Sequence, residues 1–271
     1  MTVEKQQLCD TGLPILQIDE WRIDKEFPKI GYGDEGNVYE YNKDIVLKIY
    51  YSKKNLRRKF EKIELLGKMQ DDNASFPIGL VGYESGEKEG YYSSHAKPDR
   101  YFKDFSQFAA IEDKTQKLKA ILEADAAIRR FHQKGLILGD IRGANIMVSR
   151  NNKPIFIDTD NWMIGDYGFD ILPYRTEWLE QAYRKKASLI DNDRFVFAIM
   201  ALQMLIKKAI SKDLPTKEDL DNLVESLPTS KRIKKEIKLI FSDARNKPYI
   251  GDILREIYPE EGQQVIARVR H

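Results

Sequence analysis

Leu138-Gly139-Asp140-Ile141-Arg142-Gly143-Ala144-Asn145-Ile146-Met147-Val148, followed by Pro154-Ile155-Phe156-Ile157-Asp158-Thr159-Asp160, is the stretch on which the reading turns. An aspartate and an asparagine five apart sit in a short loop, and a second aspartate closes an apolar strand. Phosphoryl transfer needs a carboxylate to orient the attacking hydroxyl. It also needs oxygen ligands for a Mg2+ ion that bridges the phosphates and neutralises their charge. Asp140 can supply the first, Asn145 and Asp158 the second. Arg142, two residues after Asp140, can meet the transferred phosphate. A pair of Asx turns would account for one such aspartate, but it accounts poorly for the whole ordered set.

Upstream lies Gly31-Tyr32-Gly33-Asp34-Glu35-Gly36-Asn37-Val38. Glycines let a backbone approach phosphates closely and aim its N–H groups at them. The same spacing marks dinucleotide-binding folds, but there a helix follows the third glycine, whereas here a strand does. A glycine-rich hairpin turn is the plain alternative. The next strand, Val46-Leu47-Lys48-Ile49-Tyr50, carries a lysine among apolar residues. Such a lysine either turns to water or meets a negative partner. One strand after a glycine loop, Lys48 is a candidate to hold nucleotide phosphates. The following helix offers Glu61 and Glu64 as the carboxylate that would fix it. Chain spacing favours Glu64 and the Leu65-Leu66 register favours Glu61, so both stay open.

Around these motifs the pattern is strand, glycine loop, strand, turn, strand from residue 27 to residue 50, an antiparallel meander. A helix is predicted over residues 55–70, with Phe60, Ile63, Leu66 and Met69 at i+3 steps, then strands over 78–83 and 90–94. Beyond residue 100 the pattern is mostly helical, over 117–133, 193–208, 216–227, 231–241 and 250–258, with a β-rich stretch at 135–157. Thr216 and Asp219 read as a capping box. Residues 1–26 have weak periodicity and read as an N-terminal extension. A β-rich front and a helical back predict an α+β chain with two lobes and a cleft between them.

Composition is that of an ordinary globular protein: of 271 residues, 42% are hydrophobic and 32% charged. With 45 basic and 43 acidic residues the net charge is +2, which argues against a polyanionic partner such as nucleic acid. The clusters Lys53-Lys54/Arg57-Arg58-Lys59 and Lys231-Arg232/Lys234-Lys235 read as solvated helix faces. Cys9 is the only cysteine, so no internal disulfide forms and a reducing cytoplasm is expected. The longest apolar run, 195–206, falls short of the ~20 residues that a membrane span needs, and the first ten residues lack a signal-peptide apolar region. No His/Cys cluster suits zinc.

The ordered set resembles a eukaryotic-type protein kinase domain. On Phe76-Pro77-Ile78-Gly79-Leu80 and Gly90-Tyr91-Tyr92 it is most similar to bacterial kinase domains that carry Asp-Thr-Asp in place of DFG. The resemblance implies a single bilobal domain over 1–271, with an extension at 1–26, a sheet-rich N-lobe at 27–96 and a trimmed helical C-lobe at 97–271. It implies ATP and Mg2+ as cofactors. Gly31, Gly33, Gly36 and Val38 form the nucleotide loop, and Lys48 holds the phosphates, fixed by Glu61 or Glu64. Asp140 is the catalytic carboxylate, Arg142 offsets charge on the γ-phosphoryl, and Asn145 and Asp158 are the metal ligands. Ser94, His95 and Ala96 line the adenine, with backbone hydrogen bonds between Ser94 and Lys97. Asp193 braces the catalytic loop and Arg245 ties the activation segment; His132 is structural. The acceptor implied is a serine or threonine hydroxyl on a protein.

Several positions depart from that family. The HRD triplet is Leu138-Gly139-Asp140, without the arginine that reads a phosphorylated loop, so Tyr174 and Thr176 hold no special claim as phosphosites. In Asp158-Thr159-Asp160, Thr159 is small where the family keeps phenylalanine, with Trp162 or Met163 as candidates to fill the space. Asp160 either binds a second ion or caps the next turn. Glu177 and Glu180 compete for Arg245. Two further readings stand beside the protein kinase. One is a small-molecule kinase of the aminoglycoside/choline kinase type, which shares the Asp-x4-Asn loop. The other is a pseudokinase serving as an ATP-binding regulatory module.

Overall fold

The computed structural model describes residues 6–8, 12–52, 56–83, 87–96, 103–111, 113–169, 189–205, 217–227, 229–242 and 246–259. They fall into two compact units: those within 1–99 together with 156–160, and those within 100–155 and 161–271.

The first unit is built on a seven-stranded sheet. Its strands are β1 (Gln6–Leu8), β2 (Pro14–Gln17), β3 (Lys29–Tyr32), β4 (Gly36–Asn42), β5 (Ile45–Tyr50), β6 (Pro77–Gly82) and β7 (Lys88–Ser94), with helices α1 (Glu20–Glu26) and α2 (Leu56–Gly67). The spatial order is β1-β2-β6-β7-β5-β4-β3. The predicted meander is β3-β4-β5, paired antiparallel throughout. The segment before residue 27 adds two strands to the same sheet, and β2 runs parallel to β6 through Ile15↔Leu80. Only Leu16 of β2 is buried, so the strand leaves no alternation to read.

Successive side chains of a strand point to opposite faces, and both faces are used. On one, Leu47 packs with Leu16, Ile18, Ile23, Tyr39, Val81 and Tyr92, a core that includes α1. On the other, Tyr50, Leu80 and Tyr91 meet Phe60 and Ile63 of α2. Lys48 has the parity of Tyr50 and stands opposite Tyr91, so it points to the α2 face. Phe156–Asp160 joins this unit because Phe156 sits beside Ala74 in a parallel bridge. Its amide donates to the Asn73 carbonyl at 2.7 Å, and its carbonyl accepts from the Ser75 amide at 2.8 Å. That pairing brings Asp158 and Asp160 to a strand more than a hundred residues earlier.

The second unit holds helices α3 (Phe105–Phe108), α4 (Lys114–Gln133), α5 (Leu189–Leu205), α6 (Lys217–Ser226), α7 (Lys231–Ile240) and α8 (Ile250–Ile257). Its strands are β8 (Lys103–Asp104), β9 (Leu136–Ile137), β10 (Ile146–Val148), β11 (Pro154–Phe156) and β12 (Met163–Ile164), arranged as β11-β10-β8 and β12-β9. Asp113 caps α4 by accepting from the Thr115 and Gln116 amides. Helix α5 is buried from Phe195 to Met204, as an all-round apolar helix must be. Lys117 is buried too, and its ammonium donates to the Ala109 carbonyl at 2.5 Å and the Met204 carbonyl at 3.2 Å. It thereby satisfies carbonyls that the ends of α3 and α5 leave open. Thr216, of the expected capping box, lies outside the described residues. No helix among the described residues is long and apolar enough to cross a membrane. A sheet-rich unit and a helical one give the mixed α+β, protein kinase-like fold.

Candidate active site

In the first unit the polar side chains gather around Asp160, which is fully buried. It accepts from Lys48 at 2.8 Å, from the Tyr50 hydroxyl at 2.7 Å and from the Tyr91 hydroxyl at 3.2 Å. Lys59 lies 3.5 Å away. Lys48 also donates to Asp158. Asp160 is therefore the anchor of the strand lysine and two tyrosines; the alternatives of a second metal ligand and a turn cap do not describe it.

The helix glutamate is corrected by the same contacts. The carboxylates that meet Lys48 are Asp158, Asp160 and, at 4.0 Å, Glu35; Glu61 and Glu64 are not among them. Glu61 pairs with Arg57 on the outer side of α2 at 3.4 Å, and Glu64 is buried elsewhere along the helix. Helix α2 instead turns Lys59 to the cluster. Its ammonium meets Glu35 at 2.5 Å and sits 4.4 Å from the centre of the Tyr50 ring. Lys59 was grouped with solvated charges because of its neighbours Arg57 and Arg58. Its place in the stripe with Ile63 and Leu66 was the available signal, since those positions share one helix face.

Two carboxylates sharing one ammonium cannot titrate alike. Burial alone would raise Asp160, but the charges of Lys48 and Lys59 and the hydrogen bonds from Lys48 and Tyr50 hold it well below the usual carboxylate range. Asp158 moves the other way: desolvation and then the Asp160 charge raise it against the pull of Lys48. Burial pulls Lys48 down, yet Asp160 and Asp158 hold it well above the ordinary lysine range. Burial and then Asp160 push the Tyr50 and Tyr91 phenols up, so both remain donors.

The glycine loop connects β3 to β4, closed by the Gly33 amide donating to the Gly36 carbonyl at 3.0 Å. A Cβ at Gly36 would collide with the Ile49 carbonyl, whereas Gly33 has open space and Gly31 only ordinary contact with Val38. Gly36 is thus a packing glycine, and Gly33 is free of that constraint. At the end of β7 the Ser94 carbonyl already accepts from the Ser75 hydroxyl at 2.7 Å, and the His95 amide donates to the Asp44 carbonyl at 2.8 Å. The backbone groups expected to read adenine there are partly engaged within the fold. Ala96 is half-buried; Lys97 lies outside the described residues.

In the second unit, Asp140 accepts from Arg142 and, at 3.1 Å, from the Asn145 amide nitrogen, all through Oδ2. The same Asn145 nitrogen donates to the Asp140 carbonyl at 3.1 Å. Arg142 is therefore spent on Asp140 in this structure. The loop that carries them hangs from Asp193, which accepts from the Leu138 amide at 2.8 Å and the Gly139 amide at 2.9 Å. His132 meets Asp193 at 3.0 Å and the Tyr249 hydroxyl at 2.8 Å, a structural placement. Trp162 packs on Phe131 with ring centres 4.9 Å apart, while buried Thr159 donates its hydroxyl to the Ser75 carbonyl at 3.2 Å. Tyr174, Thr176, Glu177, Glu180 and Arg245 lie outside the described residues.

Each unit, taken by itself, offers a hard oxygen donor. The Asp158 side chain is 39% exposed, with only one oxygen on Lys48. Asn145 commits its nitrogen to Asp140 and leaves its amide oxygen as a further hard donor. Among the described residues no group of three His, Cys, Asp or Glu could hold a metal alone.

A model of a phosphotransferase enzyme family (APH) matches residues 80–184. The match spans Asp140, Arg142, Asn145 and Asp158 and leaves out the glycine loop, Lys48 and Asp193. No curated protein matches the chain. The match supports a kinase-like phosphotransferase.

Proposed function

We propose that this protein transfers the γ-phosphoryl group of ATP to a hydroxyl, with a serine or threonine of a protein as the acceptor. The observation that carries the reading is Asp140, whose Oδ2 is held by Arg142 and Asn145 while Oδ1 has no partner among the described residues. A fixed carboxylate with one open oxygen can orient a hydroxyl and take its proton as attack proceeds. Mg-ATP, when bound, supplies the phosphoryl group and the cation that neutralises its charge. Lys48 would give part of its ammonium to the α- and β-phosphates, and Asp158 and Asn145 would offer their oxygens to the ion. Arg142 would stand between Asp140 and the transferred group, offsetting its charge. Arginine at that position supports a protein acceptor, as does the helix led by Asp193.

A small-molecule hydroxyl acceptor is the second reading, and the phosphotransferase family match over residues 80–184 is compatible with either acceptor. Incubation with labelled ATP and Mg2+ separates the two. Label on a protein band, absent for Asp140→Ala and Asp158→Ala, supports the first; label on soluble hydroxyl compounds alone supports the second. Mg-ATP binding without any transfer would leave a regulatory nucleotide module instead.

A further inference from the structure

Three carboxylates and two ammonium groups share the interior of the first unit: Glu35, Asp158 and Asp160 with Lys48 and Lys59. Three of them, Lys48, Asp158 and Asp160, belong to the candidate site already described. The remaining pair is Glu35, between the second and third glycines of the loop, and Lys59 of α2. Glu35 is 17% exposed and points inward, 2.5 Å from Lys59. Its carbonyl accepts from the Tyr51 amide at 2.9 Å, so backbone and side chain of one loop residue are both tied to the unit. Lys59 in turn reaches Asp160, which anchors Lys48.

We propose that the Glu35–Lys59 pair is a latch that fixes the glycine loop to helix α2, and that Lys59 is a positioning residue for nucleotide binding. This rests on the phosphotransferase reading. The charge order supports it. Lys59 cannot hold Lys48, but it can hold an acidic loop tip and also neutralise Asp160. The Asp160 carboxylate then has a second cation, which lets Lys48 turn towards a phosphate without leaving a buried charge unpaired. Glu35 opposes an incoming triphosphate by its charge, and Lys59 offsets that opposition while setting the height of the loop.

The test reads the loop and the nucleotide separately. Hydrogen exchange in nucleotide-free protein is followed at the Gly33 and Tyr51 amides, which bond to the Gly36 and Glu35 carbonyls. Glu35→Gln and Lys59→Met should each speed that exchange about tenfold, and Lys59→Arg should restore it. Calorimetric titration with Mg-ATP should show binding weakened about tenfold in the same two variants, with kcat at saturating ATP changed less. If Lys59→Met does not fold, Glu35→Gln carries the test, because it leaves Lys59 on Asp160. Unchanged exchange at both amides in folded Glu35→Gln overturns the latch, whatever the binding data. Wild-type protein that binds no Mg-ATP overturns the phosphotransferase reading and the nucleotide role of Lys59, while exchange still reports on the latch itself.

Discussion

The ammonium of Lys48 donates to Asp160, 112 residues further along the chain, at 2.8 Å. The contact exists because Phe156 pairs with the backbone around Ala74, which delivers the Asp158-Thr159-Asp160 turn to the α2 face of the sheet. The two aspartates of that turn divide the work: one is sealed inside the fold, the other is left 39% exposed.

That division makes the first prediction. Asp160→Ala removes the carboxylate that two lysines and two tyrosines share, and breaking a buried pair from one side costs about 3–5 kcal/mol. Asp158→Ala removes a half-exposed group and should cost no more than about 1 kcal/mol of stability. Urea unfolding of the two variants should therefore separate widely. Equal midpoints would contradict the division.

The glycine loop separates in the same manner. Gly36→Ala drives a methyl group into the Ile49 carbonyl and should lower stability by about 1–3 kcal/mol. Gly33→Ala enters open space and should leave the melting temperature unchanged, so that any loss of ATP affinity reports on phosphate approach alone. Thermal melts with and without Mg-ATP check both halves. A destabilised Gly33→Ala would show that the loop packs more tightly than it does here.

Much of this was legible from the chain. The meander with Lys48 at its centre and the Asp140-x4-Asn145 loop rest on local patterns, and α2 rests on Phe60, Ile63 and Leu66. What local pattern cannot carry is partner choice across long separations. Which carboxylate meets Lys48 is decided by the Phe156 pairing, and spacing along α2 points to the wrong residues. Strand β2 is invisible in the sequence because one buried side chain makes no period and its partner β6 is 65 residues away by register, Ile15 to Leu80. Lys59 and Glu35 were hidden differently: each is a charge among charges in the sequence, and only burial sets them apart.

Gly139 stands directly before Asp140. Its φ is +70°, and a Cβ there would run into the Phe169 ring. Gly139→Arg therefore puts a side chain where the fold has no room for one. It adds left-handed strain of about 1 kcal/mol and a collision of about 1–3 kcal/mol. The Asp193 bonds to the Leu138 and Gly139 amides are the contacts at risk. Chemical denaturation should show the loss, and amide exchange should show Leu138 opening. A Gly139→Arg variant of full stability would mean that the loop can be rebuilt around a side chain.

Asp125 carries the pH dependence. It is buried on α4, where Oδ1 accepts from the Gly251 amide at 3.0 Å and Oδ2 has no hydrogen bond, the Arg129 guanidinium standing 3.9 Å away. Burial raises it from 3.8 to about 6, against the Gly251 hydrogen bond and the charges of Arg129 and Arg255, with Asp252 adding to the rise. A carboxyl that holds its proton more tightly when folded stabilises the fold at low pH, and that contribution is lost as pH rises from about 4 through about 6. Asp125→Asn keeps the acceptor for Gly251 and has no charge to bury. At pH 7 it should gain about 1–3 kcal/mol, the upper figure being a shift of about 2 units at 1.36 kcal/mol each. At pH 4 the two proteins should be equal. Urea midpoints of wild type and variant at pH 4, 5, 6 and 7 measure the difference directly, and a gap that does not widen with pH would show that Asp125 stays ionised throughout.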